Sequence, residues 1–132
     1  MKQYKLFLDD LRMPDHAGSD EIYKDNDWVI VRSYDEFVKC IDDNGAPELV
    51  SFDHDLGLEH IRYYFENGGH DNPPDPDQAQ FKEKTGKDCA NYLTEYCTIN
   101  GLPLPEYKVH SRNPVGKENI INFLESYKRH FS

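Results

Sequence analysis

Short apolar runs separated by polar and helical stretches predict an α/β protein. Four runs have the length and composition of buried strands: residues 4–8, residues 28–32, the run from Leu49 that leads to Asp53, and residues 107–110. A polar loop separates the first two runs, and a helical pattern lies between the second and third. This order favours a mainly parallel sheet.

Three helices are predicted from capping residues and from apolar positions at helical spacing. Ser33, Thr85 and Asn113 are the predicted N-caps. Asn-Gly pairs at positions 44–45 and 100–101 end the first two helices. The side chains expected to be buried are Tyr34, Phe37, Val38 and Ile41 in the first helix, Cys89, Ala90, Leu93, Tyr96 and Cys97 in the second, and Ile120, Leu124, Tyr127 and Phe131 in the last.

Two segments lack a regular pattern. Residues 15–27 are polar and are predicted to form a loop. Residues 58–84 contain an aromatic group around positions 61–65, which favours either a short helix or a flap, and a stretch rich in Gly and Pro. This segment is interpreted either as a variable lid over a site or as a disordered surface insertion. No repeat or boundary divides the chain, so residues 1–132 are predicted to form one domain.

Composition limits the partners. Hydrophobic residues make up 37% of the chain, which favours a folded protein over a disordered one. The net charge of −10 argues against an extended nucleic-acid footprint but allows a small phosphorylated ligand bound through a metal. Three cysteines lie in helical patterns and are interpreted as reduced core residues. No apolar stretch is long enough to span a membrane, so we expect a cytoplasmic protein.

Acidic side chains follow the first and third predicted strands, as Asp9-Asp10 and as Asp53 and Asp55. In a parallel sheet these positions share the carboxyl edge, where ligands bind. Carboxylates gathered there repel one another, and Mg²⁺ or Mn²⁺ would relieve that repulsion. Asp9, Asp10, Asp53 and Asp55 are therefore predicted metal ligands. The alternatives are that Asp10 caps a turn and that Asp55 caps a helix.

The same edge is expected to gather residues for proton transfer and phosphate binding. His54 and His110 are the predicted general acid and base, with Asp53 as the third catalytic residue. The alternative for each histidine is a purely structural role. The predicted phosphate-binding residues are Arg12, Ser111, Arg112, Asn113 and Lys117; helix capping and solvent exposure are the competing roles. The remaining histidines, His16, His60, His70 and His130, are expected at the surface.

Two levels of family likeness rest on these motifs. Asp9-Asp10, Asp53 and Ser111 occupy positions that resemble the Mg²⁺-binding and phosphoacceptor sites of response-regulator receiver domains, although the first helix and the receiver lysine are missing. The fuller pattern resembles the cyclic-phosphate processing receiver domain of phages and bacteria. It comprises Leu8-Asp9-Asp10-Leu11-Arg12-Met13-Pro14, Phe52-Asp53-His54-Asp55-Leu56-Gly57, Gly86-Lys87-Asp88-Cys89-Ala90, and Val109-His110-Ser111-Arg112-Asn113-Pro114-Val115-Gly116.

This resemblance implies a receiver/flavodoxin-like three-layer fold with a sheet of about four strands, in the cytoplasm of a bacterial or phage-infected cell. The first hypothesis for function is a metal-dependent phosphoesterase acting on a cyclic phosphate of a nucleotide or RNA end. The second is a phosphoacceptor domain with Asp53 as acceptor. The third is a catalytically silent module that binds a nucleotide or a host protein.

Overall fold

A computed structural model describes residues 3–131 as a parallel sheet packed with helices. The strands are β1 (Lys5–Leu8), β2 (Trp28–Val31), β3 (Leu49–Phe52) and β4 (Glu106–Val109). The α-helices are α1 (Tyr34–Asn44), α2 (Leu58–Glu66), α3 (Gly86–Asn100) and α4 (Pro114–Phe131). Three short 3₁₀ helices span Pro14–His16, Glu21–Lys24 and Pro76–Gln78.

All four strands are parallel and lie in the order β2-β1-β3-β4. The chain moves outward from β1 to β2 and then crosses back through α1 to add β3 on the other side. The direction of winding therefore reverses between β1 and β3, as in flavodoxin-like sheets, and ligands bind at such a switch point. The predicted parallel α/β fold is confirmed.

The two faces of the sheet are covered differently. One face carries Leu6, Leu8, Val50 and Phe52 and packs against α1, α3 and α4, forming the main apolar core. On the other face, a smaller cluster of Phe7, Tyr23 and Trp28 lies under the two 3₁₀ helices of residues 14–24. The segment predicted as a loop thus supplies the third layer of the fold without an α-helix.

The predicted helix starts have their caps. The Ser33 hydroxyl accepts a hydrogen bond from the Glu36 N–H, and Thr85 and Asp88 form a full capping box. Ser33 and Glu36 do not form a full capping box, because the Glu36 carboxylate accepts a hydrogen bond from the Arg32 N–H and not from the Ser33 N–H. The predicted burial of Phe131 is wrong: its side chain is 64% exposed because α4 extends past the core.

Residues 58–84 form an anchored segment that includes α2, so a disordered insertion does not describe them. The Glu83 N–H donates to the Glu59 carboxylate, and His60 Nε2 donates to the Glu83 carbonyl at 2.9 Å. His60 Nδ1 in turn accepts from the Leu56 N–H. The predicted surface position of His60 is therefore wrong, because both of its ring nitrogens tie this segment to the β3–α2 loop and the ring is buried.

The three cysteines are free thiols, and all of them are buried, as predicted. Within residues 3–131, no helix is both long enough and apolar enough to cross a membrane.

Candidate active site

Three carboxylates converge where β1 and β3 end side by side. Each of Asp9, Asp10 and Asp53 offers an oxygen atom that lies within 4.8 Å of the other two. Asp9 and Asp53 are buried, whereas Asp10 is half-buried. The grouping that strand topology predicted is therefore present, and these three side chains, with Asp55, line one side of a cleft of about 380 Å³.

Asp9 is held by a dense set of donors. Its Oδ1 accepts from the backbone N–H groups of Leu11 and Arg12, and its Oδ2 accepts from Arg12 Nε at 3.0 Å and from His110 Nε2 at 3.2 Å. Burial alone would raise the pKa of Asp9, but these donors outweigh it and lower the pKa to about 2. The turn-capping role considered for Asp10 thus belongs to Asp9.

Asp53 and Asp10 have no comparable set of hydrogen-bond donors to offset their burial. Burial and the neighbouring Asp9 charge raise the pKa of Asp53 to about 7, and the same two causes raise the pKa of Asp10. Among the residues described, no lysine or arginine forms an ion pair with either carboxylate. Oxygen donors with excess negative charge suit a hard divalent cation such as Mg²⁺ or Mn²⁺, so the residues fit the predicted metal.

Asp55 lies beside this cluster and has other partners. Its Oδ1 accepts from His54 Nδ1 at 2.8 Å, and its carboxylate is also within 3.3 Å of Asn113 Nδ2. Gly57 is the N-cap of α2, so the helix-capping alternative for Asp55 is wrong. Asp55 therefore connects the cleft to residues behind it and is not one of the three clustered ligands.

His54 does not line the cleft. Its side chain is fully buried, and its two ring nitrogens donate to Asp55 and to Asp77. Burial alone would lower the pKa of His54, but the two carboxylates raise it to about 9, so the ring is an imidazolium at neutral pH. Gly116 of α4 packs against the ring so closely that a Cβ would overlap it. This geometry does not support the predicted role in proton transfer.

His110 lies behind Asp9 in a chain of buried hydrogen bonds. Burial lowers its pKa below the ordinary histidine value, which favours the neutral ring. Because Nε2 donates to the Asp9 carboxylate, Nδ1 accepts from the Ser51 hydroxyl at 2.7 Å, and Ser51 in turn accepts from Tyr23. The ring also stacks on Phe7 with a centroid distance of 4.5 Å. His110 thus orients Asp9 and has no free ring nitrogen.

The predicted phosphate-binding residues fall into two groups. Arg12, Ser111, Arg112 and Asn113 line the cleft, whereas Lys117 lines only the adjoining groove beside β4, which shares Arg12, Ser111 and Arg112 with the cleft. Asn113 Oδ1 accepts from the Gly116 N–H and caps α4, and Ser111 Oγ accepts from the Asn113 N–H. The capping alternative is thus confirmed for Asn113, and the structure does not bring Lys117 to the carboxylates.

An aromatic wall of the cleft comes from the segment of residues 58–84, which has no regular pattern in the sequence. Ile61, Tyr64 and Phe65 of α2 line it together with His70, which lies in the following turn. His70 is exposed, as predicted, but its position beside the carboxylates was not predicted. An aromatic group followed by Gly-Gly-His was the available signal, but nothing in its spacing related it to Asp9 or Asp53.

Strand order and site together define the class. An acidic pair after β1 and an aspartate after β3, at the switch point of a parallel sheet, make this an α/β protein of the receiver-like class. Residues 4–126 match the cyclic-phosphate processing receiver domain, and the chain belongs to that family, as its motifs predicted. No curated protein and no solved structure matches the chain.

Two motif glycines of the predicted resemblance have a structural reason. Gly86 lies against the backbone of the Asp53-His54 pair, where a Cβ would overlap the Asp53 carbonyl oxygen, and its N–H donates to the His54 carbonyl at 2.8 Å. Gly116 makes room for the His54 ring. Both glycines therefore allow α3 and α4 to approach the loop that carries Asp53.

Proposed function

We propose that the protein is a divalent-metal-dependent phosphoesterase that acts on a cyclic phosphate of a nucleotide or RNA end. The observation that carries this proposal is the cluster of Asp9, Asp10 and Asp53, with two of its carboxylates uncompensated. Three clustered carboxylates disfavour a phosphate beside them unless a bound cation offsets their charge, and Arg12 is already paired with Asp9. The cluster is therefore more readily explained as a metal site than as a direct phosphate site.

Asp9, Asp10 and Asp53 would hold the metal, which supplies Lewis acidity and an activated water when bound. Asp9 is ionised under all ordinary conditions because its pKa is about 2. Arg12 pairs with Asp9 and also donates to the His110 carbonyl, so its guanidinium is fixed at the cleft. Arg112 adds a second cation to the lining, and the two arginines would neutralise phosphate oxygens.

The cleft also has an apolar side that supports a nucleotide as substrate. Leu11 and Phe65 line it and are 76% and 59% exposed, respectively. A large apolar side chain exposed within a cleft is more informative than one on an open surface, because covering it gains hydrophobic free energy. A nucleobase offers a flat apolar face beside a phosphate, and bases stack on aromatic side chains.

One observation favours a second candidate. His54 and His110, which contact Asp55 and Asp9 respectively, both have their ring nitrogens occupied by structural hydrogen bonds. A module that binds a nucleotide through a metal without turning it over needs no free acid or base. The products that form distinguish this binding module and the phosphoacceptor domain from the phosphoesterase.

The first experiment measures Mn²⁺ binding by calorimetry and turnover by phosphorus NMR. Asp53→Asn should weaken Mn²⁺ binding by more than about tenfold, because it removes one carboxylate charge from the donor set. With Mg²⁺ or Mn²⁺, the wild type should convert a 2′,3′-cyclic nucleotide or an RNA carrying that end to a phosphomonoester, and should be slower on a base-free cyclic phosphate.

Asp71→Asn is the matched control, since Asp71 is exposed and makes no side-chain hydrogen bond among residues 3–131. Tight binding of nucleotide without product would favour the silent module. A phosphoryl group on Asp53 after treatment with acetyl phosphate, absent from Asp53→Asn, would favour the phosphoacceptor. Equal Mn²⁺ affinity of wild type and Asp53→Asn would contradict the metal site itself.

A further inference from the structure

The aromatic wall of the cleft contains a histidine that no motif of the family resemblance includes. We propose that His70 is the general acid of the cleft, protonating the oxygen that leaves phosphorus when a cyclic phosphate opens. This inference rests on the proposed phosphoesterase function and adds the proton donor that His54 and His110 do not provide.

A glycine turn places His70 directly after α2. The Gly69 N–H donates to the Tyr64 carbonyl at 2.8 Å, and Gly68 and Gly69 have φ angles of 130° and 58°. Such angles are costly for residues with a side chain, and a Cβ at Gly68 would also overlap the Asn72 carbonyl. The chain therefore folds back over the end of α2, which brings His70 into the lining of the cleft.

Tyr64 orients the ring. Its Oη lies 2.8 Å from His70 Nδ1, and the two rings meet edge-to-face at 5.3 Å. Tyr64 itself is buried, so this partner has a defined position. The phenol oxygen accepts from Nδ1–H in the imidazolium, and it still accepts from Nδ1–H in the neutral tautomer that remains after Nε2 gives up its proton. The same contact thus holds His70 before and after it gives up a proton.

The second nitrogen of His70 is available. Within residues 3–131, His70 Nε2 has no hydrogen-bond partner, and His70 is the one histidine that lines the cleft with the carboxylates. His54, His60 and His110 are buried, and each has both nitrogens engaged. His70 therefore combines access to a bound substrate with a nitrogen that is free to transfer a proton.

The step balances as a hydrolysis. A water oxygen forms a bond to phosphorus, and the bond from phosphorus to one ring oxygen of the substrate breaks. The His70 imidazolium gives its Nε2 proton to that leaving oxygen, which becomes a hydroxyl group. The attacking water releases a proton to solvent, and the imidazole takes one up, so substrate and water yield one phosphomonoester.

The test compares His70→Gln, Tyr64→Phe and, as control, His130→Ala, which alters an exposed histidine on α4. Gln can keep the hydrogen bond to Tyr64 but cannot act as an acid. On a 2′,3′-cyclic nucleotide, His70→Gln should lower kcat by about 100-fold or more, with little change in KM or Mn²⁺ affinity. Tyr64→Phe should cause a smaller loss, and His130→Ala none.

A substrate with an easily departing group separates acid catalysis from a structural role. Hydrolysis of a p-nitrophenyl phosphodiester needs no protonation of the leaving group, so His70→Gln should retain most of the wild-type rate on it. Equal losses on both substrates, or a kcat within threefold of wild type on the cyclic nucleotide, would overturn this inference alone. Absence of turnover by the wild type would overturn it together with the proposed function.

Discussion

The buried imidazolium of His54 joins three parts of the molecule. It donates to Asp55 at the cleft and to Asp77 in the segment that carries α2, while Gly116 of α4 packs against its ring. Asp77 is held in turn by the side-chain amide of Asn119 at 2.7 Å. The positive charge of a single side chain thus helps to fix the cleft, its outer wall and the last helix relative to one another.

Stability should therefore fall on the alkaline side of neutrality. The pKa of His54 is raised from 6.5 to about 9 in the folded protein, so its contribution is complete below pH 6.5 and is lost as pH rises through 9. For the wild type, the free energy of unfolding should fall by about 1.5 kcal/mol between pH 7.5 and pH 9. Urea denaturation at the two pH values, monitored by circular dichroism, measures the difference.

His54→Gln provides the comparison, because it cannot carry the charge. This variant should be less stable than wild type at pH 7.5 but should show a much smaller change between the two pH values. His130→Ala should keep the full wild-type change. An unaltered pH dependence in His54→Gln would mean that another group titrates in this range and that His54 is neutral.

The positions of some site residues could be predicted from the sequence, and those of others could not. Strand topology brought Asp9, Asp10 and Asp53 together, because parallel strands share an edge. Topology says where a backbone position lies, but not to which side its side chain turns. Asp53 and His54 are neighbours in sequence, yet the first lines the cleft and the second is buried behind it.

Among the helices, α3 packs its first residue directly against the backbone of the loop that follows β3. Gly86 is the first residue of α3, and its N–H donates to the His54 carbonyl. The helix start thereby supports the Asp53-His54 peptide from behind. Any side chain at position 86 would displace either α3 or the loop that presents Asp53.

Gly86→Ala should accordingly lower the free energy of unfolding by about 2–3 kcal/mol, the usual cost of overpacking a well-ordered interior. Urea denaturation at neutral pH measures the change. Mn²⁺ affinity should fall in the folded variant as well, because Asp53 would move away from Asp9.

Gly57→Ala is the matched control in the same region. Gly57 has an extended φ of −173°, and a Cβ there would meet only ordinary contacts, the nearest at 3.6 Å. This variant should lose no more than about 1 kcal/mol, the usual cost of alanine at a helix N-cap. A Gly86→Ala protein as stable as Gly57→Ala would contradict the proposed close packing of α3 on the loop.

Elements with caps and regular apolar spacing could be predicted from the sequence, and α1, α3 and α4 begin where Ser33, Thr85 and Asn113 indicate. The aromatic wall of the cleft could not be predicted, because α2 contains both exposed and buried aromatic residues. It is held in place by long-range contacts such as His60 to Glu83 and His54 to Asp77. Such contacts leave no periodic signal in the chain.

For the molecule as a whole, net charge limits which substrates the proposed activity could act on. The net charge of −10 repels an extended polyanion, and the cations that line the cleft are Arg12 and Arg112. Productive contacts should therefore be restricted to the terminal nucleotide of an RNA. A long RNA and a short one would then present the same feature to the protein.

The catalytic efficiency should consequently depend little on RNA length or on salt. Oligonucleotides of two and of twenty residues with a cyclic phosphate end should differ by less than about threefold in kcat/KM. Raising the salt concentration from 50 to 200 mM should also have a small effect, because few phosphate contacts are lost. Steady-state kinetics at fixed Mg²⁺ measures both.

A marked preference for the longer RNA, lost at high salt, would contradict this limit. It would indicate that the polymer extends into the groove beside β4, where Lys108, Lys117 and Lys128 lie. Lys117→Ala would then reduce the preference.

The strand order also governs when a growing chain can acquire its site. β1 leaves the ribosome first but is an inner strand, so its two neighbours, β2 and β3, are complete only after residue 52. His110, which holds Asp9, and Asn113, which caps α4, come more than fifty residues later. A chain synthesised only as far as Asp53 therefore contains all three clustered carboxylates but lacks the residues that hold Asp9 and cap α4.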